Sequence, residues 1–140
     1  MYESQVEILH DTVVSDNLGK GSTCAFPSTA VNGNIANMIP VLIEMGVNII
    51  NPIETCGGQQ NIYDIKCKYG DRIALCGNID INGVLLNGTV EQVKSDVAKH
   101  IEGLADGGGY IVASSHDIHE LIPIENFYAM RAAVHEYKFK

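Results

Sequence analysis

Nowhere in these 140 residues does an apolar run approach the roughly 20 positions that a helix needs to cross a bilayer. The N-terminal stretch carries Glu3, Glu7, Asp11 and Asp16 where a signal peptide would be uncharged. With neither signal present, a cytosolic protein is expected. Basic residues are scarce, 9 against 17 acidic ones, and the net charge of -8 would repel a phosphate backbone and an anionic membrane surface alike. Nucleic acid and membrane are therefore not expected partners. The four cysteines, Cys24, Cys56, Cys67 and Cys76, form no C-x-x-C pair, and nothing marks a disulfide-stapled secreted domain. Three of them lie at or just after predicted strands, where a thiol serves either as a small buried hydrophobe or as a metal ligand. No linker, low-complexity segment, Ser-His-Asp set or P-loop is visible. The run Gly107-Gly108-Gly109 precedes a strand instead of following one, so it lacks the context of a dinucleotide fingerprint and reads as a turn.

What the chain does have is 46% hydrophobic residues beside 19% charged ones, the composition of a globular domain with one core. From Thr23 onward, short β-rich runs alternate with helical patterns four times. The first predicted strand is Thr23 to Pro27. A helix within 34–46 follows, with Ile35, Met38, Ile39, Leu42 and Ile43 on one face. Pro40 fits that helix only in its first turn, after an N-cap at Asn37, and Gly46 ends it. The second strand, Val47 to Asn51, precedes a helix of about Asn61 to Tyr69. The third is Ile73 to Gly77. Thr89 and Gln92 then have capping-box spacing, and Val90, Val93, Val97, Ile101 and Leu104 form a stripe, which predicts a helix over 89–105. The fourth strand is Tyr110 to Ser114, and Pro123 opens a last helix with Phe127, Met130, Val134 and Tyr137 inward. The 2–15 stretch also reads as a helix. Alternating strands and helices require parallel pairing through right-handed crossovers, in a doubly wound sheet or a (β/α) barrel. Four units are half of the eight in a TIM-type barrel, which usually needs about 250 residues.

The stretches "LIEMGVNIINPIE", "KYGDRIALCGNIDINGVLLNGTVEQV" and "GGGYIVASSHDIHELIPIENFYAMRAAVHEY" resemble, in order, the C-terminal half of the uroporphyrinogen decarboxylase superfamily, which joins porphyrinogen decarboxylases with cobamide-dependent methyltransferases. The resemblance covers roughly residues 33–137 and implies the barrel: an α/β fold of four consecutive βα units, half of a (β/α)8 barrel with parallel strands, in one truncated domain over 1–140. It also implies decarboxylation of porphyrinogen carboxylate side chains, with a corrinoid-dependent methyltransferase-like half as the alternative. Departures matter as well. Pro27 stands where related chains carry a His after the first of these strands, and the last-strand region Ala113-Ser114-Ser115-His116 lacks the Cys that completes the methyltransferase zinc site. No zinc and no other cofactor is therefore expected. The Asp and arginines that the decarboxylase chemistry uses belong to the N-terminal half in this resemblance and have no counterpart here. His116 alone matches a family position, the His of the Gly-His-Gly stretch that lines the porphyrinogen pocket.

In a parallel barrel the loops after the strands gather at one end and build the site. The catalytic residues are left unassigned, and the substrate-binding candidates are His116, Asn78, Asp80, Ser115 and Glu54. His116 could bind a substrate carboxylate or shuttle a proton, or could brace its loop through backbone carbonyls. With His119 it forms a His-x-x-His pair that could reach a metal, although a structural zinc wants four ligands. Asn78 and Asp80 directly follow a strand, where a carboxylate could orient a substrate amine or pyrrole N–H or close an Asx turn. Glu54 could touch substrate or pair at a neighbouring strand's end. The isolated half is expected to lack a complete site. A non-catalytic remnant or assembly subunit is the rival reading. Two open sheet edges, and an inner face carrying Ile49, Leu75 and Ile111, favour a homodimer or a complementary barrel half as partner.

Overall fold

The computed structural model describes residues 6–9, 12–15, 28–29, 34–55 and 60–137. Six strands form one sheet: β1 (Val6–Leu9), β2 (Thr12–Ser15), β3 (Ser28–Thr29), β4 (Ile49–Ile53), β5 (Ala74–Gly77) and β6 (Tyr110–Val112), in the order β1-β2-β6-β5-β4-β3. β3 to β6 run parallel, in sequence order, as four consecutive βα units require. The helices between and after them are α1 (Ile39–Glu44), α2 (Ile62–Tyr69), α3 (Val84–Asn87), α4 (Val90–Leu104) and α5 (Ile124–Glu136).

Local chemistry accounts for most of these boundaries. Thr89 and Gln92 exchange the two hydrogen bonds of a capping box at the start of α4. Asn61 caps α2 by accepting from the Tyr63 amide at 2.9 Å. Pro40 lies in the first turn of α1, which begins at Ile39 and not directly after Asn37. Gly107, Gly108 and Gly109 all adopt positive φ, near +70° to +81°, so the triple glycine is a turn that side chains would strain. Pro52 falls where the β4–β5 register shifts between Ile50 and Ile53, a position at which the ladder asks for no N–H.

All five helices pack on one face of the sheet. Ile39, Leu42, Ile62, Ile65, Leu85, Val97, Leu104, Met130 and Val134 join Ile50, Ile53, Leu75, Tyr110 and Val112 in one core. The other face carries a smaller cluster of Cys76, Ile111 and Ala113, with Ile49 against it. This is the one-sided covering of barrel units. It also corrects the expected inner face: Ile49 and Ile111 lie on it, but Leu75 points to the helices, because side chains alternate along β5 and Cys76 takes the inward position. Ile111 and Cys76 are buried within this chain and not left wet.

The helix expected over 2–15 is overturned. Its described residues form β1 and β2, an antiparallel hairpin pairing Val6 with Ser15 and Leu9 with Thr12. β2 in turn lies antiparallel on β6, with Val13 opposite Val112 and Val14 opposite Ile111. Branched residues at Val6, Ile8, Thr12, Val13 and Val14 lose side-chain freedom in a helix and suit a strand, and the waiting edge of β6 decides the matter. Consequently β6 is not an open edge. The strand expected at Thr23 to Pro27 lies outside the described residues, and the described part of this pairing is Ser28–Thr29 beside Ile49 and Ile50. Among the described residues no helix is long and apolar enough to cross a membrane.

Leu104 is wholly buried between α4 and the sheet, so Leu104→Ala is expected to lower stability by about 2–5 kcal/mol. Thr89→Ala should cost about 1 kcal/mol through loss of the cap. Urea denaturation of the two variants checks the order.

Candidate functional site

The carboxyl ends of β4, β5 and β6 lie side by side, and each sequence candidate sits just beyond one of them. Beyond β4, Glu54 is half-buried, and its backbone carbonyl accepts from the Gln60 side-chain amide at 2.8 Å. The Gln60 carbonyl oxygen accepts in turn from the Ile35 amide at 3.1 Å. Gln60 thus ties the start of the α1 region to the end of β4. Cys56 and Asn32 lie outside the described residues.

Beyond β5 the chain turns at Gly77 (φ 101°) and Asn78 (φ 77°), the latter in the left-handed region that asparagine tolerates better than most residues. This turn sends the Asn78 side chain under the sheet instead of into the mouth of the units. It is buried. Its Nδ2 donates to the Ile53 carbonyl at 3.3 Å, and its Oδ1 lies 3.3 Å from Nε2 of His100 on α4. His100 Nδ1 lies 2.9 Å from the Asp96 carbonyl oxygen. The Tyr110 hydroxyl donates to the Gly77 carbonyl at 2.9 Å, and burial holds that phenol's ionisation well above its ordinary range. Asp80, partly exposed, accepts from the Asn82 amide at 2.9 Å and so closes an Asx turn.

Beyond β6, Ser114 bridges Ile79 of the neighbouring loop. Ser115 is buried; its amide donates to the Ile79 carbonyl at 2.7 Å and its Oγ accepts from the Ile81 amide at 3.2 Å. His116 is exposed. Its Nδ1 accepts from the Asp117 amide at 2.8 Å, while the Ser114 hydroxyl donates to the His116 carbonyl at 2.6 Å. An accepting Nδ1 leaves the ring proton of the neutral imidazole on Nε2, where it can donate to an anion. His119 is held in a similar way, Nδ1 accepting from the Leu121 amide at 3.3 Å.

The structure therefore brings His116, Ser115, Asp80 and Asn78 to adjoining strand ends, and divides them by what they do. Asn78 and Ser115 hold the loops, Asp80 shapes its own turn, and His116 is turned outward. Among the described residues no group of three or more His, Cys, Asp or Glu side chains could hold a metal ion. His100, Tyr110 and Gln60 were not singled out by sequence reasoning. His100 could have been found, since it falls three residues after Val97 on the buried stripe of α4, where a polar side chain must have a partner.

Comparison with known proteins agrees with this fold. The Uroporphyrinogen decarboxylase (URO-D) family model matches residues 24–137, and the chain belongs to that family. Similar relatives include the uroporphyrinogen decarboxylases of Vibrio campbellii, 39% identical over 77 residues covering 54% of this chain and 21% of the relative, and of Pseudoalteromonas translucida, 36% identical over 80 residues covering 57% and 22%. The chain thus matches about a fifth of the length of these curated relatives. A solved structure titled methyltransferase from Methanosarcina mazei superposes with a TM-score of 0.64 at 25% identity, over 78% of this chain and 30% of that one.

The division of roles can be measured. Asn78→Ala leaves a buried carbonyl and a buried imidazole nitrogen without their partner, and should destabilise by roughly 1–3 kcal/mol. His116→Ala, at an exposed position, should stay within about 0.5 kcal/mol. Thermal denaturation distinguishes them. Burial also pushes the Cys76 thiol up to about 12. Iodoacetamide at pH 8 should accordingly spare Cys76 in the folded protein while labelling the exposed Cys67, and should reach Cys76 on unfolding, as peptide mass mapping would show.

Proposed function

We propose that this chain supplies one wall of a porphyrinogen-binding pocket in a decarboxylase-type barrel, as one cytoplasmic domain that needs further residues to complete the reaction. The observation that carries the reading is His116, whose Nδ1 is held by the Asp117 amide so that Nε2–H faces out at the strand ends. A fixed donor there suits a substrate carboxylate, and Asp80 and Glu54 in the adjoining loops suit pyrrole N–H groups. Asn78 and Ser115 support these residues from beneath. Decarboxylation breaks the bond between a side-chain carbon and its carboxyl, releases carbon dioxide and returns a proton to the carbon. The residues described here can bind and orient for that step. Two of the chain's cations are engaged away from these strand ends: Lys66 reaches the Gly108 carbonyl, ahead of β6, and Lys94 of α4 pairs with Glu136 of α5 at 2.8 Å.

A methyltransferase-like role is the second reading, favoured by the Methanosarcina mazei neighbour. The last-strand sequence Ala113-Ser114-Ser115-His116, without a cysteine, speaks against it. The test is anaerobic binding of uroporphyrinogen, with product acidity followed over time. The expected outcome is binding without turnover by the isolated chain, weakened about tenfold or more by His116→Ala, since a hydrogen bond to a charged group contributes roughly 1.5–3 kcal/mol. No binding, or binding indifferent to His116→Ala, would refute the decarboxylase reading, and zinc-dependent capture of a thiol would support its rival.

A further inference from the structure

An asparagine followed by glycine is open to attack on its side chain by the next backbone nitrogen, because glycine has no side chain to shield that nitrogen or to restrict its approach. The segment between β5 and α4 holds two such pairs, Asn82-Gly83 and Asn87-Gly88. A third, Asn32-Gly33, lies outside the described residues. Asn82 and Asn87 are both exposed, so access does not separate them. Hydrogen bonding does. Asn87 ends the single turn of α3, where the Gly88 amide donates to the Val84 carbonyl at 2.9 Å and Asn87 Nδ2 donates to the Asn82 carbonyl at 2.7 Å. The attacking nitrogen and the group under attack are each tied elsewhere. At Asn82-Gly83 neither is: among the described residues no hydrogen bond engages the Gly83 amide or the Asn82 side chain. The Asn82 backbone amide donates to Asp80 Oδ1 at 2.9 Å, so the turn is held just before the reactive bond and free at it. A Cβ at Gly83 would lie 2.6 Å from Asp80 Oδ2, and a bulkier, shielding residue fits there only if Asp80 moves.

We propose that Asn82-Gly83 is a modification site, at which Asn82 converts without an enzyme to a mixture of aspartate and isoaspartate while Asn87 in the same segment is spared. The inference goes beyond the decarboxylase reading and does not depend on it. The Gly83 nitrogen gives up its proton and bonds to Asn82 Cγ; the Cγ–Nδ2 bond breaks, and Nδ2 leaves as ammonia with that proton. A succinimide ring remains. Water then opens the ring at one of its two carbonyl carbons. Breaking the new bond at Cγ yields aspartate, and breaking the original bond at the main-chain carbonyl carbon yields isoaspartate. Water is the sole co-reactant. Either product adds a carboxylate two residues after Asp80. The isoaspartyl product also inserts a methylene into the main chain ahead of α3, which draws Gly83 off the Asp80 carboxylate. The β5 loop thereby carries a slow, one-way charge switch beside the strand ends.

The experiment is ageing of the whole chain at pH 8, folded and in urea, followed by tryptic mapping. The peptide of residues 73–94 lies between Arg72 and Lys94 and holds both pairs, and fragment masses assign each amide-to-acid conversion to Asn82 or Asn87. In the folded chain Asn82 should convert about tenfold faster than Asn87, the factor that two hydrogen bonds impose when they must break first. In urea the two should convert at similar rates. Electron-transfer fragmentation should show isoaspartate among the products at Asn82, and Asn82→Gln, whose longer side chain closes the ring poorly, should remove the acidic form of this peptide from the folded chain. Equal rates at Asn82 and Asn87 in the folded chain, or an Asn82 that converts only in urea, overturns the proposal. Should Asn82→Gln fail to fold, the two rates in the unaltered chain decide the question.

Discussion

Neighbouring parallel strands cannot be joined by a tight turn, because the chain must run back to the end of the sheet at which the first strand began. Between β4 and β5 that return is α2, and between β5 and β6 it is α3 followed by α4. The arrangement of β3 to β6 and their helices answers to this requirement. Crossovers of one hand put the helices on one face, so that face must be apolar on both sheet and helices, and it holds the main core. The same directionality sets the carboxyl ends of β4, β5 and β6 in one row, so Glu54, Asp80 and His116 each follow one of these ends although they are far apart in sequence.

The βα repeat could be read in the sequence wherever local chemistry and packing agree. The capping box at Thr89, the stripe of α4, the turn at Gly107 to Gly109 and the last helix after Pro123 all appear close to where spacing places them. Disagreement arises where tertiary contacts outweigh local preference. Val6–Leu9 and Thr12–Ser15 are too short for periodicity to separate helix from strand, and pairing with β6 settles them. The single turn of α3 carries no repeat long enough to detect.

The candidate site was legible as positions but not as directions. That Asn78, Asp80, Ser115 and His116 follow strands is evident from the βα pattern. Which way each points depends on backbone angles and on partners remote in sequence. The positive φ of Asn78 turns its amide toward α4, and the Ser115 hydroxyl is taken by the Ile81 amide. His116 remains outward because its own neighbour, Asp117, supplies the amide that fixes the ring. Polar residues beside strand ends thus divide into those that make the surface and those that make the surface rigid.

The hairpin on β6 has a topological consequence. β2 reverses direction relative to β6, and β1 reverses it again relative to β2. Two reversals restore the original sense, so β1 runs the same way as the four barrel-type strands. The outer margin of the sheet therefore has the polarity that the margin of β6 would have had, displaced sideways by two strand widths, or about 9.5 Å. A further strand of the same sense could continue the sheet from β1 without any change of direction, and the arc it joined would be six strands wide instead of four.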